Sequence, residues 1–201
     1  MCSRSPLLVL GSKLNGIFAL GQDIQPTDRF VATGSRGRLL DCTMVKARRV
    51  ELRAGLVAHF DETADKLARL TEAIPAEKYG WRPAPGTRSI SEVLVHVAQA
   101  NYFTASNAGA KPPVELRQDA EKTMTEKSQV IGLPKQSSRH LGEVMRNQPE
   151  GGLRKSATMF KQQTSYGNVF LFGATHTHEH LGQLVSYARM NGVVPPWSAK
   201  Q

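Results

Sequence analysis

The chain has 201 residues, enough for one domain with a full core and too short for two large ones. Apolar residues at 40% and charged residues at 21% exclude wholesale disorder, and only two cysteines, Cys2 and Cys42, exclude a disulfide scaffold and cysteine-based zinc or redox chemistry. Lys and Arg exceed Asp and Glu by 26 to 17, a formal +9, yet the basic residues are scattered and aromatics are only 6%, so no nucleic-acid partner is expected.

Residues 1–44 differ from the rest. Leu7 to Leu10 and Ile17 to Leu20 form a broken signal-like pattern, with Lys13 and Asn15 between them and no small-x-small cleavage site after them. Met44 directly precedes a helical segment. The expectation is a poorly ordered N-terminal extension, or an over-extended translation start, over 1–44 and one domain over 45–201. The expected location is the cytoplasm, with export left open by this ambiguous tail. No run of about 18 apolar residues occurs, so no membrane span is expected.

From about Val45 to Ile74 the pattern is helical, with Leu52, Leu56, Phe60, Leu67, Leu70 and Ile74 in steps near three and four, and Pro75 ends the run. The turn-rich stretch Tyr79-Gly-Trp-Arg-Pro-Ala-Pro-Gly86 follows as a loop. Ser89-Ile-Ser-Glu92 is a capping box opening a second helix to about Asn107, closed by Gly109 and Pro112-Pro113. A polar third segment, Glu115 to Asn147, is interrupted by Gly132 and Pro134. Because an interior proline costs a helix roughly 3 kcal/mol, a kink or break is expected there. The last helix starts near Ser165 to Asn168 and runs to Asn191, with Gly192 as its cap and Pro195-Pro196 beyond. No β-hairpin signal is visible. The expected fold is all-α: a four-helix bundle with long crossover loops and an irregular N-terminal tail.

The chemistry concentrates in Ala174-Thr-His-Thr-His-Glu-His-Leu-Gly-Gln183. Residues four apart on a helix differ by about 40° and lie about 6 Å apart along the axis, so His176 and His180 can aim at one point. They share a stripe with Val169, Phe172, Gln183, Leu184 and Tyr187. His178, about 200° away, should point elsewhere and be exposed. His96, in line with Val93, Ala100 and Phe103 on the second helix, is the best third ligand. Three neutral imidazoles leave a coordination position open, as catalytic sites do, and suit Zn²⁺, Ni²⁺, Fe²⁺ or Co²⁺. Gln183, Asn101 and Glu179 are within range to take the second nitrogen of each ring. His59 and His140 read as surface or supporting residues. His176-x-x-Glu179-His180 also matches the inverted zincin signature, but no Asp or Glu follows His180 to serve as the third ligand.

Trp81-Arg82-Pro83, Ser91-Glu-Val-Leu-Val-His-Val-Ala98, His176-Thr-His-Glu-His-Leu-Gly-Gln183 and Gly192-Val-Val-Pro-Pro196 together resemble the DinB-like superfamily of bacterial metal-binding four-helix bundles, over about Val45 to Trp197. The resemblance implies one divalent metal held by a histidine on the second helix and an H-x-x-x-H pair on the fourth; the matching positions are His96, His176 and His180. It also implies that a low-molecular-weight thiol is a candidate cosubstrate, because characterised relatives include thiol S-transferases and isomerases. Pairing into a homodimer is common among such bundles. The extra tail and the break at Gly132 and Pro134 depart from the family pattern.

An open three-histidine metal site can activate water or bind and deprotonate an incoming thiol. The leading expectation is therefore a metal-dependent thiol transferase acting on a small-molecule substrate, the catalytic agent being metal-bound thiol or water rather than a protein nucleophile. The alternative is a non-catalytic metal-binding stress or interaction protein; a metal-dependent hydrolase ranks third.

Overall fold

The computed structural model describes residues 42–149 and 151–198. The tail expected over 1–44 therefore lies outside the described residues, apart from 42–44, which open the first helix.

Four long helices make the body: α1 (Cys42–Ala73), α2 (Ile90–Asn107), α5 (Leu133–Arg146) and α6 (Tyr166–Met190). Two single-turn helices, α3 (Ala120–Thr123) and α4 (Lys127–Val130), lie between α2 and α5. Both α1 and α2 pack against α5 and α6, so the order around the bundle is α1, α5, α2, α6. The helices consecutive in sequence, α1 and α2, are thus diagonal, which is the crossover arrangement the long connections allow. No helix among the described residues is long and apolar enough to cross a membrane.

Local chemistry sets the helix ends. Ser89 and Glu92 form the expected capping box: the Glu92 amide donates to Ser89 Oγ, and the Ser89 amide donates to Glu92 Oε2 at 2.7 Å. Gly192 ends α6 at φ 76°, with Gly192 N–H donating to the Arg189 carbonyl and Val193 N–H to that of Ala188, a Schellman motif. At Gly132 and Pro134 the expected interruption is a complete break. Gly132 caps α5 and Pro134 lies in its first turn, where its missing N–H costs nothing.

The all-helical expectation needs one correction. Strands β1 (Ser156–Met159) and β2 (Gln162–Ser165) pair antiparallel, from Ser156 opposite Ser165 to Met159 opposite Gln162, and lead directly into α6. The turn residues Phe160 and Lys161 both have left-handed φ, 51° and 63°. That is the two-residue turn matching strand twist, normally built from Asn and Gly. Here it uses two residues that each incur roughly 1–2 kcal/mol for this conformation. The short polar strands and the absence of Asn-Gly hid the hairpin in the sequence.

The core divides into two apolar clusters. One includes Leu67, Leu70, Tyr79, Leu94, Val97 and Leu184. The other includes Phe60, Leu141, Met145, Val169 and Phe170. Leu52, which shares the apolar period of α1, is exposed. A polar belt adds to the buried interior: Asn101 donates to Ser137 Oγ and Ser138 Oγ and accepts from Thr177 Oγ1 at 3.1 Å. All four are buried and each is hydrogen-bonded, so the belt avoids the desolvation penalty of unpaired groups. Above it α6 comes very close to its neighbours: a Cβ on Gly173 would lie 2.9 Å from both Leu141 Cδ2 and Thr104 Cγ2.

Candidate metal centre

His96 on α2 and His176 and His180 on α6 meet in the groove between these helices. Their ligating nitrogens all lie within 4.8 Å of one another. His176 Nε2 is 3.2 Å from His96 Nε2 and 3.2 Å from His180 Nε2. Two nitrogens sharing one ion through bonds of about 2.0–2.1 Å require a separation of that size. The triad sits on the side of the bundle rather than in its centre: His180 is buried, while His96 and His176 are only partly so. Of the stripe they share, Val169, Leu184 and Tyr187 are buried, and the partial exposure of His96 and His176 gives the triad a solvent-facing side.

The protons decide what the cluster can hold. His96 Nδ1 is 2.8 Å from Glu121 Oε1, a carboxylate that only accepts, so Nδ1 carries the hydrogen. His180 Nδ1 is 2.8 Å from Gln183 Oε1, while Gln183 Nε2 donates to Tyr187 Oη at 2.8 Å, so this Nδ1 is also the donor. Both Nε2 atoms of the neutral rings therefore turn lone pairs toward His176 Nε2. One hydrogen on His176 Nε2 could satisfy only one of them, leaving the other lone pair without a donor, and a hydrogen on Nδ1 would leave both unsatisfied. His176 Nδ1 is itself buried without a partner. A cation shared by the three Nε2 atoms removes this conflict, so the donor set fits a divalent transition metal.

Electrostatics favour the neutral, ligating form of His176 and His96. Burial, then His180, His96 and Arg88, push His176 down to about 4. His96 is lowered as well, burial outweighing the opposing hydrogen bond to Glu121. Burial acts to raise the Glu121 carboxyl, but the hydrogen bonds and charges of Arg88 and His96 hold it below its ordinary range. Arg88 Nε donates to Glu121 Oε2 at 2.7 Å.

Of the three expected supporting residues, only Gln183 stands behind a triad ring. Asn101 belongs to the buried belt. Glu179 is exposed, because its side of α6 turns away from the groove that His176 and His180 face. His178 is exposed, as expected, with Nδ1 3.1 Å from Thr63 Oγ1 on α1. His59 is exposed and His140 lies against Tyr102, both apart from the triad. The residue the sequence did not yield is Glu121. It lies in the weakly patterned third segment and reaches His96 because the intervening loop folds back, with Gln99 Nε2 donating to the Arg117 carbonyl at 2.8 Å. The one local signal is an acidic residue in the first turn of α3. The Trp81 loop also supports the site: Trp81 packs edge-on against Tyr187 at 5.4 Å, continuing the Tyr187–Gln183–His180 chain.

The fold and the triad together define a four-helix bundle with a three-histidine side groove suited to one metal ion. Residues 59–184 match the profile of the DinB superfamily, and the chain belongs to that superfamily. Among solved structures it is similar to a DinB-like protein from Bacillus cereus ATCC 10987, at 16% identity and a TM-score of 0.63, over 71% of this chain and 95% of that one. It is also similar to a DinB-like protein from Bacillus subtilis, at 19% identity and a TM-score of 0.55, over 69% of this chain and 92% of that one. At these identities the likeness concerns the fold. No functionally curated protein matches the chain.

Proposed function

We propose that the protein is a metal-dependent transferase that uses a low-molecular-weight thiol, with His96, His176 and His180 as the metal ligands. The observation that carries this reading is the convergence of three Nε2 atoms, two of them with lone pairs fixed by Glu121 and Gln183, on one partly exposed point. Three protein ligands leave room for an exogenous one. When bound there, Zn²⁺, Ni²⁺ or Fe²⁺ would supply the Lewis acidity that lets a thiol lose its proton near neutral pH.

The protein's own residues do the positioning. Glu121 and Gln183 fix the tautomer and orientation of His96 and His180. Arg88 balances the Glu121 charge. Cys42 opens α1 and no cysteine follows it, and the triad consists of histidines alone, so this reading takes the thiol from a separate molecule. A cavity of about 550 Å³ lies against these supporting residues, lined by Arg82, Arg88 and Lys122 together with Glu121, Gln183 and Tyr187. Glu92 also lines it; Arg82 pairs with Glu92 and Arg88 with Glu121, so among the described lining residues Lys122 is the cation left to meet an anionic thiol. The reading places the protein in the cytoplasm, where such thiols stay reduced.

The test is a panel of electrophiles with several bacterial thiols, run with metal-loaded wild type and with His176→Ala. Turnover that requires metal, thiol and His176 supports the transferase. Thiol-independent hydrolysis points to bound water instead. If removing the metal changes only the melting temperature and no pair reacts, the alternative of a non-catalytic metal-binding bundle replaces it.

A further inference from the structure

The groove that holds the histidines continues away from Glu121 into a cluster of aromatic rings. Phe172 lies one turn before His176 on α6, its ring 5.4 Å from the imidazole and tilted by 30°. Phe103 lies two turns beyond His96 on α2. The hairpin turn brings Phe160 between them, 5.3 Å from Phe103 and 5.4 Å from Phe172. The three rings thus form a ladder across the α2–α6 groove, and its inner end rests on a triad imidazole.

Two features set this cluster apart from ordinary core. Phe103 is 40% exposed and Phe160 61% exposed, so the rings present an apolar surface to water beside the triad. Phe160 also occupies a left-handed turn position that a glycine would fill without strain. Backbone strain of this kind persists only where the surroundings over-determine it, and it gathers at ligand sites. Here it sets a large ring at the tip of the hairpin, over the groove.

We propose that Phe103, Phe160 and Phe172 form a binding wall for an aromatic group carried by the molecule that reaches the triad. The inference rests on the metal reading for its orientation: the aromatic group lies toward the hairpin, and its sulfur or reacting end lies at the histidines. The polar cavity of Arg82, Arg88 and Lys122 lies at the opposite, Glu121 end of the same groove, so the groove sorts its ligands by polarity. Phe160 is a specificity-determining residue in this scheme, and touches no reacting atom.

The experiment compares two thiols, benzyl mercaptan and 2-mercaptoethanol, titrated into the cobalt(II)-loaded protein, with the thiolate-to-cobalt absorption band reporting binding. Wild type should favour the aromatic thiol by about tenfold or more, and Phe160→Gly should bring the ratio close to one while leaving the melting temperature unchanged or raised. Equal affinities in wild type, or a preference that survives in Phe160→Gly, would overturn the proposal. A lowered melting temperature with the preference intact would assign Phe160 to packing alone and overturn it as well. If neither thiol gives a band, the metal reading fails, and the wall is judged separately on metal-free protein. Benzyl alcohol should then shift the Phe103 and Phe172 ring resonances in wild type and not in Phe160→Gly; an absence of shifts in wild type overturns the wall itself.

Discussion

Glu121 joins His96 to Arg88: one carboxylate oxygen lies 2.8 Å from His96 Nδ1 and the other accepts from Arg88 Nε at 2.7 Å. This single side chain fixes which nitrogen of His96 faces the groove. Replacing the outer partner of a ligating histidine typically lowers metal affinity by about 10–100-fold. Glu121→Ala should fall in that range. Glu121→Gln keeps an acceptor but loses the charge shared with Arg88, so its loss should be smaller. Competition titration against a chromogenic chelator gives both values; equal affinities in the two variants and wild type would remove Glu121 from the site.

His176 and His178 are two residues apart on α6, yet only His176 turns into the groove. His176→Ala should therefore lose bound metal, by more than the roughly 100-fold upper range of a supporting-residue change. His178→Ala should retain about one ion per chain, since its ring nitrogen faces Thr63. Elemental analysis of the two variants after reconstitution with zinc or nickel separates them, and retention of metal by His176→Ala would rule out the triad.

The sequence carried the parts that depend on local pattern. The Ser89–Glu92 box, Gly192 and the four-residue spacing of His176 and His180 were readable because each acts within one or two helical turns. Trp81, Arg82 and the histidine motifs carried the family likeness for the same reason. What remained hidden depends on distant segments meeting. Glu121 reaches His96 through a loop with no helical period. Asn101 looked close enough to support His96, but it lies on the buried side of α2 and pairs with Ser137, Ser138 and Thr177. The hairpin escaped because Phe160 and Lys161 contradict the usual turn chemistry, and that contradiction is also what marks Phe160 for attention.

The low position of His176 gives the metal-free protein a specific acid response. The unfolded chain takes a proton on this ring near the ordinary value of 6.5, whereas the folded protein resists until about 4. The unfolded state therefore binds more protons between these values, and stability falls as pH drops through that window. Above it this group contributes no pH dependence, and below it the curve flattens. His96 acts in the same direction. Melting temperatures of chelator-treated protein should show this slope, and His176→Asn should reduce it. Metal-loaded protein should start higher and converge on the metal-free curve as acid displaces the ion. A flat profile between these values in wild type would contradict the burial of His176.

Gly173 and Gly182 lie on the same helix and should respond oppositely to alanine. Both substitutions gain roughly 0.5–1 kcal/mol from the lower backbone entropy of the unfolded chain. Gly182 is exposed and a Cβ there meets nothing within 4 Å, so Gly182→Ala should keep that gain. At Gly173 the new Cβ would stand 2.9 Å from both Leu141 Cδ2 and Thr104 Cγ2. Leu141 is fully buried in the core, and Thr104 is held by the hydrogen bond from its hydroxyl to the Ala100 carbonyl at 2.7 Å. Overpacking of this kind costs about 1–3 kcal/mol, so it exceeds the helix gain and Gly173→Ala should be destabilised by about 1 kcal/mol. Gly173 lies one turn before Thr177 and close to His176, so pushing α6 away from α2 should also separate His96 from the other two imidazoles. Urea denaturation and metal titration on the two variants should move together at Gly173 and apart at Gly182, where stability rises and affinity stays constant. Unchanged metal affinity in a destabilised Gly173→Ala would show that the triad tolerates a shift of α6 and that its spacing is set by the supporting hydrogen bonds alone.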